Sequence, residues 1–209
     1  WSEHSGKRRL EPKIQRAEVI RLGESVQADG KISEEQVVEL RRALLEYRRT
    51  AHALGARILH VVMTEALRRA ENAQIIQNMV EDILGVVPEV LSGDREALYS
   101  WKAVAHWHGE SLTVVDIGGG STEISNGIQH VSVPVGALRL RREMGIIPGP
   151  EYKKWAKDVL AGVNFKPFIK KPVIFVGGTA VALGMLHLAC ENYEWRVLEG
   201  LSLGLEDLD

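Results

Sequence analysis

Residues 113–124 read Thr-Val-Val-Asp-Ile-Gly-Gly-Gly-Ser-Thr-Glu-Ile: an apolar run closing on an aspartate, then three glycines, a Ser-Thr pair and a glutamate. Leu112, Val114 and Val115 read as a buried strand, and Asp116 sits where it ends. Gly118, Gly119 and Gly120 let the backbone turn sharply and bring N–H groups close to an anion with no Cβ in the way. Ser121 and Thr122 add hydroxyl donors. Asp116 is placed to hold a hard cation such as Mg2+, directly or through water.

The residues after the glycines set this loop apart from phosphate loops that open into a helix. The chain continues through Glu123-Ile124-Ser125, then Asn126-Gly127, then Ile128 to Val135. Asn-Gly between alternating segments is a strong hairpin signal, because both central residues can take positive φ. The glycine loop therefore reads as a turn between two strands, with a second hairpin after it. A glycine triplet alone is more often only a tight turn; the flanking Asp116 and Ser121-Thr122-Glu123 point to phosphate.

A second loop of the same kind stands at Gly177-Gly178-Thr179. Val173 to Val176 is a short apolar strand, and Thr179 is placed to cap an apolar helix running on to Cys190. A glycine pair leading into a helix N-terminus offers free N–H groups and the positive end of the dipole to an anion. An ordinary strand-to-helix turn would look the same, so the argument rests on the two loops together.

The chain has 209 residues, 45% hydrophobic and 26% charged, enough to bury one sizeable core or two small ones. No apolar run approaches a membrane span. The single cysteine, Cys190, excludes an intramolecular disulfide and fits a reducing cytoplasm. A net charge of −2 argues against nucleic acid as partner, although residues 139–171 carry nine basic residues against three acidic ones. That zone is either an electrostatic lure for a phosphate-rich ligand or a solvated lysine-rich face. No zinc-type Cys/His spacing is present.

The order of elements suggests a duplication. In the first part, a strand is expected at 14–22, then a helix opened by Ser33 with Gln36 at the capping-box position and closed by Gly55. A strand at 57–63, a helix at 65–84, a strand at 86–91 and a helix at 94–107 come next. The second part is expected as strands 112–117, 122–125 and 128–135, a helix 137–161 broken near Gly149, a strand 173–176, a helix 179–190 and a last helix within 198–208. Both parts run strands, helix, strand, helix, giving lobes at 1–109 and 110–209. The second opens with the Asp-glycine strand and the first has no counterpart, so a further strand and phosphate loop are expected before Trp1.

With these motifs in hand, the chain resembles the exopolyphosphatase and guanosine pentaphosphate phosphatase family. The resemblance is carried by VVDIGGGSTEI (114–124), SVPVGALRL (132–140) and VGGTAVALGML (176–186). RLGE (21–24), MTEALRRAEN (63–72) and LSGDREAL (91–98) stand in the right order, and the match covers about residues 14–190. It implies an α/β fold of two ribonuclease H-like lobes, with mixed five-stranded sheets flanked by helices, in the actin-like ATPase superfamily. The first strand of lobe I and part of lobe II would be missing from the chain.

The resemblance also assigns roles. Glu96 matches the base that activates water, and a carboxylate beside phosphate is pushed by like charge toward accepting a proton. Glu123 matches a second functional carboxylate, for metal or water. Arg68 matches an arginine that contacts phosphate through its planar fork. Two residues depart from the pattern: Arg95 stands where many relatives carry Glu, and Glu65 where many carry Ser. The implied activity is hydrolysis of inorganic polyphosphate or guanosine pentaphosphate with Mg2+ or Mn2+. A non-catalytic polyphosphate or alarmone sensor is the alternative, and a sugar- or acetate-kinase-like phosphotransferase is disfavoured by the SGxxEA segment. Homodimerisation is expected by fold analogy alone.

Overall fold

The computed structural model describes residues 2–4, 7–9, 14–58, 60–145, 150–169, 172–191 and 195–208. Ser2–His4 (β1) and Lys7–Arg9 (β2) form an antiparallel ribbon. The strand expected at 14–22 does not form: residues 14–21 have no regular structure and Leu22–Asp29 is a helix, α1. The apolar residues there pair with no strand among the described residues, and Val19 is left 83% exposed. Gly30, at φ +74°, ends α1.

Ser33 opens the next helix, α2 (Glu34–Ala53), through the expected capping box. Its side chain accepts from the Gln36 N–H, and the Gln36 side chain accepts from the Ser33 N–H. Val62–Met63 (β3) pairs in parallel with Glu89–Val90 (β4). Both are far shorter than the strands expected at 57–63 and 86–91, of which Leu59 lies outside the described residues. The helix expected at 65–84 is two, Glu65–Arg69 (α3) and Ala73–Leu84 (α4). The break has a cause: the Asn72 amide side chain bonds both the N–H (3.0 Å) and the C=O (2.9 Å) of Ile32. The chain must turn there to aim that amide. On α4, Ile76, Val80 and Ile83 recur at helical spacing and are all buried. With Val26, Ile32, Met63, Leu67 and Ala70 most of this stripe forms the first core, each fully buried aliphatic side chain contributing roughly 1.5–3 kcal/mol.

Gly93–His108 (α5) leads into a four-stranded mixed sheet made of Thr113–Ile117 (β5), Thr122–Ser125 (β6), His130–Val133 (β7) and Val173–Val176 (β8). The order is β7-β6-β5-β8; β6 is antiparallel to β5 and β7, and β8 is parallel to β5. The described residues thus supply four strands of this sheet. The Asn126-Gly127 hairpin forms, by a different device than expected. Gly127 alone takes positive φ (+85°), while the Asn126 side-chain oxygen accepts from the N–H of Ile128 and of Gln129.

The helix expected at 137–161 is Ala137–Met144 (α6) and Pro150–Leu160 (α7); the expected break at Gly149 lies outside the described residues. Helix α8 is Gly178–His187, and its N-cap is Gly177 rather than Thr179. The final segment is Trp195–Leu198 (α9) and a 3-10 turn at Leu205–Leu208. Helix α5 packs on β5, β6 and β7, and α8 packs on β5 and β8. Among the described residues no helix is long and apolar enough to cross a membrane.

Candidate active site

Sheet register decides what the Asp-glycine strand presents. Asp116 stands opposite Glu123, and Glu123 opposite Ser132. Directly opposed residues put their side chains on one face, so Asp116, Glu123 and Ser132 form a row across three strands. Helix α5 lies over that row. Its Ser100 hydroxyl donates to Asp116 Oδ2 at 2.6 Å, and Gly93 in its first turn rests on Ser132. A Cβ at Gly93 would overlap the Ser132 Cβ, so the close approach of helix to strand requires glycine at 93.

Glu96 occupies the first turn of α5, opened by Ser92 as N-cap with its side chain accepting from the Arg95 N–H. Arg68, on α3, reaches across to Glu96: Nη1 donates to Glu96 Oε2 at 2.6 Å and to the Leu91 carbonyl at 2.7 Å. Both side chains are about four-fifths buried. The resemblance implied Arg68 and Glu96 separately; the fold makes them an ion pair.

Glu123 is 2% exposed. Burial pushes its carboxyl above the ordinary glutamate value. Hydrogen bonds from the Ser121 and Ser132 hydroxyls pull it part of the way back, and the negative charges of Glu96 and Asp116 push it up again. Ser132 donates to Glu123 Oε1 at 2.7 Å. Three carboxylates therefore converge near the edge of β5 and β6, and the most enclosed of them is the one biased toward keeping a proton.

Because β5 and β8 are parallel neighbours, both glycine loops leave the same edge of the sheet. Open α/β sheets bind ligands outside the carboxyl ends of their strands. Gly177, at φ +90°, passes so near β5 that a Cβ there would lie 2.6 Å from Asp116 Oδ1 and 2.9 Å from the Ile117 carbonyl. The α8 N-terminus, beginning at Gly178 with Thr179 as its second residue, is thereby held beside Asp116. In the first loop, the Gly118 N–H donates to the Ser121 carbonyl, closing the turn. The Gly118 and Gly119 carbonyls accept from the first N–H groups of α6, at Ala137, Leu138 and Arg139. With its carbonyls tied to α6, the loop keeps the amides of Gly119 and Gly120 as its main-chain donors toward an anion.

Two hydroxyls expected to face a ligand are committed inside the protein. Thr122 Oγ1 donates to the Val135 carbonyl at 2.6 Å, and Ser121, also buried, serves Glu123. Arg95 turns outward, paired with Glu89 and donating to the Tyr99 hydroxyl at 2.8 Å. Sequence reasoning missed Ser100, Ser132 and Arg139. Arg139 Nε donates to the Gly120 carbonyl at 2.8 Å, and its Nη2 lies 3.3 Å from Glu65 Oε1. Its position three residues after Gly136 in the VGALRL segment was the available signal.

A mixed sheet carrying glycine turns at the ends of two parallel strands, with carboxylates and arginines at the same edge, defines an α/β protein equipped to handle an anionic ligand. Residues 3–195 match the Ppx/GppA phosphatase family, and the chain belongs to that family. It is 34% identical over 132 residues to Exopolyphosphatase 1 of Mycobacterium tuberculosis, covering 59% of this chain and 38% of that protein. It is 35% identical over 107 residues to the guanosine-5'-triphosphate,3'-diphosphate pyrophosphatase of Photobacterium profundum, covering 50% of this chain and 22% of that protein. The chain thus spans well under half the length of these relatives. Among solved structures, an exopolyphosphatase-like protein superposes with a TM-score of 0.80 at 26% identity, over 94% of this chain and 69% of the other. The Aquifex aeolicus PPX-GPPA enzyme gives 0.75 at 28% identity, over 93% of this chain and 68% of the other.

Proposed function

We propose that the protein is a phosphoanhydride hydrolase releasing terminal phosphate from inorganic polyphosphate or guanosine pentaphosphate. One observation carries the proposal: Glu96 stands at the start of α5, in charge contact with Glu123 beside Asp116, with Arg68 on its carboxylate. In-line attack on a phosphoryl group needs a carboxylate to orient water, donors for the equatorial oxygens, and positive charge against the developing negative charge.

In this reading Glu96 orients and deprotonates the water. Arg68 spends Nη1 on Glu96 and Leu91, leaving the rest of its fork for a phosphoryl oxygen. Glu123, buried beside Asp116 with its Oε1 accepting from Ser132, helps to position the same water. The amides of Gly119 and Gly120 and the α8 N-terminus at Gly177, Gly178 and Thr179 grip the phosphates. Gly118, Ser121 and Thr122 act indirectly, by closing the turn, by holding Glu123 and by fastening β6 to Val135. The lobe boundary falls at 109/110, so that α5 before it and the sheet after it build the site together.

The relatives' chemistry implies a divalent metal, and Asp116 would hold it. Among the described residues no group of three His, Cys, Asp or Glu side chains gathers in metal-binding geometry. That donor set fits Mg2+, which is bound through one or two carboxylates and completes its shell with water and substrate phosphate oxygens. Such an ion supplies charge neutralisation at the phosphoryl oxygens.

The test is phosphate release from long-chain polyphosphate and from guanosine pentaphosphate, measured with malachite green, for the wild type and Glu96→Ala. Release is expected to fall by about 10²–10⁴-fold while calorimetric binding of the same ligands stays within a few-fold. Equal release by the variant removes Glu96 from the reaction, and binding without release by the wild type makes the chain a sensor.

A further inference from the structure

Glu65 opens α3, yet its carboxylate belongs to the glycine loop. The carboxyl carbon and both oxygens crowd the point where a Cβ on Gly120 would project, so the acid occupies the space that glycine leaves open at 120. Two guanidinium groups hold it: Arg69 Nη1 at 3.1 Å and Arg139 Nη2 at 3.3 Å. Arg139 is itself fixed to the same loop through the Gly120 carbonyl. The Glu65 side chain is 14% exposed and that of Arg139 16%, so the pair is shielded from bulk water. A glycine backbone flanked by two arginines is what an anion site requires. Here the anion is the protein's own.

We propose that Glu65 is a specificity-determining residue: its carboxylate fills an anion subsite formed by Gly120, Arg139 and Arg69, and a ligand phosphate enters that subsite only by displacing it. The inference rests on the phosphate-binding reading of the glycine loops. A long, unbranched side chain anchored at its tip can swing away, which a backbone obstruction could not. A carboxylate parked between the arginines also cancels charge that would otherwise meet the ligand. Serine at position 65 would leave both guanidinium groups unneutralised over the loop.

The experiment is calorimetric titration of inorganic tripolyphosphate, in Mg2+ buffer, into the wild type, Glu65→Gln, Glu65→Ser and the double variant Glu65→Gln/Arg139→Ala. Each is first checked by thermal melting. Removing one shielded like charge beside the phosphates is expected to tighten binding about tenfold in both single variants, and the double variant is expected to lose the gain. A carboxylate that merely braces α3 against the loop predicts the reverse, equal or weaker binding in the single variants, and that result overturns the proposal. A gain that survives Arg139→Ala also overturns it, because Arg139 would then contribute nothing to the vacated subsite. If the wild type binds and Glu65→Gln binds equally, the inference fails and the hydrolase reading stands; if no form binds tripolyphosphate, the reading fails and takes the inference with it.

Discussion

Glu123 is enclosed between β5 and β7, facing Asp116 on one side and Ser132 on the other, and its raised pKa is a stability statement as well as a chemical one. In the unfolded chain the carboxyl titrates near 4.5; in the folded chain it titrates higher. Between the two values the native state binds more protons, so stability falls as pH rises through that window and the penalty is complete above the folded pKa. Glu123→Gln keeps a side-chain oxygen for Ser132 and removes the charge. The variant is expected to melt with the wild type near pH 4 and above it at pH 7 and beyond. Melting curves across that range check this, and a gap that stays constant or closes with rising pH refutes it. Glu123 was visible in the sequence as the glutamate after Ser-Thr. Its burial and its proton bias were not, because both arise from α5 folding over the sheet and from Ser132, nine residues further along the chain.

Where two elements meet, contact distance is set by what has been left out of the sequence. Helix α5 reaches β7 only because position 93 lacks a Cβ. Gly93→Ala is expected to lift the helix N-terminus, and Glu96 with it, at a cost of about 1–3 kcal/mol. Thermal melting reads this as a fall of several degrees, since 1 kcal/mol shifts a domain of this size by roughly 2–4 °C. Gly93→Ala/Ser132→Gly removes the overlapping side chain and should recover much of the loss; a single variant that melts like the wild type sinks the account. Elements of this kind were legible in proportion to how local their causes are. The Ser33 capping box stands as read, and the strand expected at 112–117 forms at 113–117; both are written in neighbouring residues. The strand expected at 14–22 finds no partner strand among the described residues. The helix expected at 65–84 broke because Asn72 answers to Ile32, forty residues away. The Arg68–Glu96 pair likewise joins residues 28 apart.

Across the molecule, the two glycine loops are some sixty residues apart in sequence and meet only because β5 and β8 run in parallel side by side. A ligand gripped by both would fasten the sheet, α5 and α8 together. Binding restricted to the native state raises stability by about 2.7 kcal/mol at a hundredfold excess over Kd. Tripolyphosphate with Mg2+ is therefore expected to raise the melting temperature of the wild type by several degrees. Gly177→Ala should abolish most of that shift, because its Cβ would meet Asp116 Oδ1 and the Ile117 carbonyl and push the α8 N-terminus off the site. The variant also carries strain from a positive φ, and Gly145→Ala separates the two effects. Gly145 too has positive φ (+74°), with nothing among the described residues within 4 Å of an added Cβ. Gly145→Ala should lose about 1–3 kcal/mol of basal stability from strain alone, Gly177→Ala more because its Cβ also overlaps its neighbours, and only Gly177→Ala should lose the ligand-induced rise. If both keep it, the second loop takes no part in gripping phosphate; if both lose it, strain rather than the approach of α8 to Asp116 is what the ligand feels.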